Sequence, residues 1–164
     1  MVSELESDIK NGKVYISTRF TPEGEAAYPK LLKVAIETGT EATLATSIDN
    51  PDFFKLLEAN TSKTGIEDTR NVSDIAYLTF AEGEFNTYYM RGLCLHATNE
   101  GRTLEIYRAK EVGEARNESV VKIGTSIDAV TFLEELRSRE ANHFKYPVSG
   151  WLGGPNSGLS VKLI

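Results

Sequence analysis

The residues best equipped for chemistry crowd into one stretch, EGEFNTYYMRGLCLHATNEG, positions 82 to 101. Glu82 and Glu84 are a candidate pair of catalytic carboxylates, and Arg91 is the cation that could work with them. Cys94, the chain's single cysteine, could serve as a nucleophile, and His96 as a general base or metal ligand. Each also has a plainer reading. Two glutamates beside a helix start are commonly partners of the helix dipole. Arg91, two turns after Glu84, reads most simply as a surface or interface ion pair. Cys94 has no Cys-x-x-Cys partner and only Arg91 as a basic neighbour, which points to a buried, inert thiol. His96 has no second histidine three or four positions away, so a core histidine is the expectation.

Elsewhere the yield is thinner. GGPNSG, residues 153–158, is rich enough in glycine to cradle an anion, yet it lacks a Walker lysine, dinucleotide spacing and a following helix. A flexible turn is the better reading of Gly153–Gly158. His96 and His143 could belong to a Ser–His–Asp triad, but no G-x-S-x-G accompanies them. Phe144, Tyr146 and Trp151, near Arg137 and Arg139, could form a stacking platform or an interface anchor. No catalytic, cofactor-binding or metal-binding residue is assigned on these patterns, and no cofactor is implied.

The elements that must hold these groups follow from local signals. Residues 1–11 suggest a short helix capped by Ser3 with Glu6 and closed by Gly12. KVYISTRF (13–20) alternates like a strand. Thr21 and Pro22 open a helix that Gly39 ends, with a kink or fresh start expected at Pro29. ATLATSI (42–48) is ambiguous between helix and strand. Asn50 and Pro51 suggest a short helix through Phe53, Phe54, Leu56 and Leu57, and residues 60–72 read as an exposed, mobile loop. A helix follows from Ser73 and Asp74. Strands are expected at 102–112 and 119–127. A helix capped by Asp128 or Ser126 carries Val130, Phe132, Leu133 and Leu136. After a mobile Gly/Pro-rich connection at 147–158 comes a last strand, Leu159–Ile164.

At about 100° per residue, positions 84–98 place Phe85, Tyr89, Gly92 and His96 close to one line. Tyr88, Met90, Leu93, Cys94, Leu95 and Ala97 carry the apolar surface round most of the circumference. Glu84, Thr87, Arg91 and Thr98 are left as a narrow polar strip. A helix this apolar must be covered by its own core or by a partner chain. Phe85, Tyr89 and Leu93 are its expected core residues, and Gly92 is expected to permit a close approach.

The whole chain narrows the function classes. It has 164 residues, 40% of them hydrophobic and 26% charged, which suits one globular domain without staples. No apolar run approaches a membrane span, and no signal-peptide core is visible, so a cytoplasmic location is expected. The net charge is −6, with no block of like charge, so direct nucleic-acid binding is not favoured. Helices and strands interleave without a βαβ rhythm, which predicts a single α+β domain: several helices on a small mixed or antiparallel sheet.

AEGEFNTYYMRGLCLHATNEGRTLEIYRAKEVGEARNES and GPNSGLSVKL resemble segments of small structural and head-morphogenesis proteins of tailed phages, over about a third of the chain. The minor-head pattern would place a histidine shortly after Arg116; here Asn117, Glu118 and Ser119 follow. No functional residue is carried over. The resemblance implies a virion component. The leading expectation is therefore a non-enzymatic assembly protein acting through contacts with itself or other subunits, with Arg91, Phe144, Tyr146 and Trp151 as interface candidates. One alternative is a small enzyme using Glu82 or Glu84 with Arg91. Another is an acidic inhibitor that binds a host factor.

Overall fold

The computed structural model describes residues 1–61, 67–111, 113, 117–138, 152 and 158–164. Helix α1 spans Val2–Asn11 and ends where Gly12 turns left-handed, at φ 65°. It starts one residue before the expected Ser3 cap: Met1 is the N-cap, and no side chain bonds there. Helix α2, Pro22–Thr38, opens as its sequence predicts, with Thr21 Oγ1 accepting from the Gly24 amide at 3.2 Å. It continues as one helix through Pro29, so the proline is not a fresh start. Tyr28 and Leu32, on either side of the proline, are fully buried, and that packing outweighs the lost hydrogen bond. The ambiguous stretch becomes helix α3, Glu41–Ile48, because Thr40 and Thr43 cap each other reciprocally and Leu44, Ala45 and Ile48 turn inward.

Two expectations fail between these helices. KVYISTRF forms no strand: it is a connector with a bend at Val14 and a turn before Phe20, and its ladder contact among the described residues is the bridge from Phe20 to Phe54. β-branched alternation needs a neighbouring strand before it becomes a sheet. The expected helix after Asn50 is a turn. Asn50 Oδ1 accepts from the Asp52 amide at 2.9 Å, and the chain then straightens into β1, Leu57–Thr61. β1 pairs antiparallel with β2, Glu67–Asn71, in the register Leu57↔Asn71 to Thr61↔Glu67. Most of the described part of the expected 60–72 loop is thus strand, and 62–66 lie outside the described residues.

Helix α4, Ala76–Glu100, joins the helix expected from Ser73 and Asp74 to the 84–98 motif in one element, with a later start. Its N-cap is Ile75, without a side-chain bond, and Gly101 ends it at φ 64°. β3, Leu104–Arg108, follows as expected. The predicted strand at 119–127 reduces to a helical turn, α5 (Asn117–Val120), and a two-residue strand, β4 (Ser126–Ile127). Gly124, at φ 81°, reverses the chain so that its amide meets the Ile106 carbonyl at 2.8 Å. Asp128 caps α6, Ala129–Arg137, by accepting from the Thr131 amide; Val130 faces solvent rather than the core. β5, Leu159–Leu163, completes an antiparallel sheet of order β4-β3-β5, with Ile106 opposite Val161.

The architecture is α+β, as its interleaved elements predict. Two apolar clusters fill it, and α4 is their shared wall. Ala81 and Tyr88 face α1, α2 and α3, where Phe20, Tyr28 and Phe80 pack with ring centroids 5.0–5.3 Å apart. Met90, Cys94 and Ala97 face β3, β5 and α6, against Leu104, Phe132, Leu136 and Val161. The apolar girth of α4 is therefore covered largely by its own chain. Among the described residues, no helix is long and apolar enough to cross a membrane.

Candidate functional site

Three of the four members of the α4 polar strip face inward, and Thr98 is exposed. Arg91 is 3% exposed, and Glu84 and Thr87 are buried with it. Tyr89, assigned above to the core, is 39% exposed, and the expected core residue His96 lies outside, 3.3 Å from Glu100 one turn on. Phe85 and Leu93 are partly buried against the two clusters. The inversion has a clear cause. α1 lies across α4 and presents Glu4 and Asp8, four positions apart and so on one helical face, together with Leu5.

Around Arg91 the donors and acceptors interlock. Its Nη1 and Nη2 reach the two oxygens of Asp8, and its Nε donates to Glu4 Oε2 at 2.9 Å. Arg137, from α6, grips the same Glu4 with Nε at 3.0 Å and Nη2 at 2.6 Å. Tyr88 donates its hydroxyl to Asp8 Oδ2 at 2.9 Å, and the Arg91 guanidinium lies 5.1 Å from the Tyr88 ring centre. Two arginines and two carboxylates balance in charge, and one cluster ties α1 to both α4 and α6. Geometry of this quality is what a buried ion pair needs to offset desolvation.

The protonation states follow. Arg137 hydrogen bonds hold Glu4 below the ordinary carboxylate value of 4.5, with burial opposing and Arg91 assisting. Burial and the Asp8 charge push the Tyr88 hydroxyl well above its usual range. Burial also pushes the Cys94 thiol up to about 12, as the inert-thiol reading requires. A recess bordered by Asp8, Lys13, Tyr15, Thr87 and Arg91 has room for about one water molecule. The cluster is a clamp, with its arginines and carboxylates committed to each other.

Of the carboxylates proposed for chemistry, Glu82 lies on the outer side of α4 and is held by Lys110, while Glu84 is inside, two turns before Arg91. The structure does not bring Glu82 to Arg91. Arg91 is no surface or interface pair, because its partners Glu4 and Asp8 enclose it. Phe144, Tyr146, Trp151, His143 and the 114–116 segment lie outside the described residues. So does the 147–158 connection, apart from Leu152, which is buried in the core, and Gly158. Arg108, at the end of β3, has terminal nitrogens that are buried without a hydrogen-bond partner among the described residues.

The second candidate is the β1–β2 ribbon, whose strands pack chiefly on each other. It is tied to the helical body at its base. The Lys55 amide donates to the Arg19 carbonyl at 2.9 Å, and Arg19 pairs with Glu58, which also takes Nε of Arg70 at 2.8 Å. The Arg19 hydrogen bond is the main reason Glu58 titrates below its usual range. At the base Leu56 is 86% and Leu57 52% exposed, and along the strands Ala59, Asp68, Thr69, Arg70 and Asn71 face solvent. No other described strand pairs with either edge.

No family model, no curated protein and no solved structure matches the chain.

Sequence reasoning missed Glu4, Asp8, Tyr88 and Arg137 as parts of one site, and missed the ribbon altogether. One signal pointed to the clamp. Glu4 and Asp8 flank Leu5 on the only face that α1 could dock.

Proposed function

We propose that the chain is a non-enzymatic assembly protein that acts through protein–protein contacts, with the β1–β2 ribbon as its contact element. The observation that carries this reading is the ribbon itself. An isolated two-stranded hairpin is marginal in water, and open strand edges are templates for another chain. This ribbon adds two exposed leucines at its base, Leu56 and Leu57. A protein that keeps such an element standing off a well-packed body has a use for it in association. A place in a phage particle, which the sequence resemblance implies, fits that use.

The enzymatic alternative has less support, since Glu82 is engaged by Lys110 and Arg91 by Glu4 and Asp8. Replacing residues 57–71 with a short glycine–serine link tests the proposal by sedimentation velocity. Loss of association with the helical circular dichroism intact is the expected result. Undiminished association without the ribbon would refute it.

A further inference from the structure

We infer that the ribbon's occupant is a second copy of the same ribbon, joined β2 edge to β2 edge about a two-fold axis through Thr69. The inference rests on the assembly reading above and goes further by naming the partner.

Full overlap of the two copies of β2 places Thr69 opposite Thr69. On either side of that axis, Asp68 of each chain then lies opposite Arg70 of the other. Both positions are exposed in the single chain. Opposite charges directly across an antiparallel ladder favour pairing, and here the symmetry supplies the match twice. The other edge offers no such match. Full overlap of two β1 strands sets Glu58 against Asn60 and Ala59 against itself.

The register within one chain extends the pattern. Arg70 is the cross-strand partner of Glu58 and Asp68 that of Asn60. Across the joined ribbons one face would read Glu58, Arg70, Asp68 and Asn60, with Arg70 between a carboxylate of its own chain and one of the copy. The product is a four-stranded sheet of order β1-β2-β2-β1, in which the exposed β2 edges are gone. Three or more strands escape the marginal stability of a lone hairpin.

Charge complementation tests the register. Asp68→Lys sets like charges opposite each other at both positions, and Arg70→Glu does so with the other sign. Arg19 remains on Glu58 in both variants. Each variant alone should associate more weakly than the parent by roughly tenfold or more. In an equimolar mixture every substituted side chain faces an opposite charge across the new seam, although the Arg70→Glu carboxylate also faces Glu58 of its own chain. Mixed dimers should therefore associate more tightly than either variant alone, which also shows that both variants fold. If the parent associates and the variants match it, or the mixture associates no more tightly than either variant alone, the in-register pairing is wrong while the assembly reading stands. If the parent stays monomeric but a ribbon-dependent complex with another protein forms, self-pairing is again overturned and the assembly reading survives. A monomer with no ribbon-dependent partner overturns both.

Discussion

Arg91 grips Asp8 with both terminal nitrogens of its guanidinium, although 83 positions separate the two residues. The same guanidinium reaches Glu4, one turn earlier on α1. α1 is a short helix with few apolar side chains, so its docking depends on these bonds as much as on Leu5.

Arg91→Met should therefore cost about 3–5 kcal/mol, because two buried carboxylates lose their shared cation. Arg91→Lys should recover little of it, since a point charge cannot replace the fork that serves both carboxylates. Urea denaturation measures both. An unchanged midpoint for Arg91→Met would show that the cluster contributes nothing.

The clamp also sets an acid limit. Hydrogen bonds from Arg137 hold the folded-state pKa of Glu4 below 4.5, the value expected when unfolded. Glu4's contribution is thus complete above 4.5 and fades as pH falls through its lower folded value. Stability should drop on acidification below 4.5. Glu4→Gln, though weaker at neutral pH, should show a shallower acid slope. Equal slopes in the two proteins would contradict the assignment.

Cys94 should resist thiol reagents in the native protein and react once the chain is denatured. It is fully buried, and its pKa of about 12 leaves almost no thiolate at neutral pH. Fast labelling of the folded protein would reopen the nucleophile reading.

Where a structural feature depended on neighbours in the chain, the sequence was legible. Gly12, Thr21 with Pro22, and Asp128 mark helix ends by local backbone chemistry, and each sits where it was expected. Features that depended on distant partners were not. KVYISTRF has a strand's alternation but finds no strand beside it. Asn50 and Pro51 read as a helix start, yet Asn50 makes a turn, and the chain leaves that turn as β1 because β2 is there to pair with it. Arg91 reads from the sequence as a surface or interface pair because charges default outward. Only the docking of α1 reverses that, and nothing near Arg91 in sequence announces it.

Arg108 allows a check of a different kind. Its Nη1 and Nη2 are removed from water without a hydrogen-bond partner among the described residues, which costs about 1–3 kcal/mol for a buried polar group. Arg108→Met should leave the urea midpoint unchanged or raise it. A clear fall would mean that the guanidinium is satisfied in solution.

Amide hydrogen exchange at low and high protein concentration tests the central claim, contact through the ribbon, most directly. Slowing on association should concentrate in Leu57–Thr61 and Asp68–Asn71, strongest along β2, while α4 exchanges equally slowly in both conditions. Association that slows exchange elsewhere and leaves the ribbon amides as fast as in the dilute protein would contradict the account.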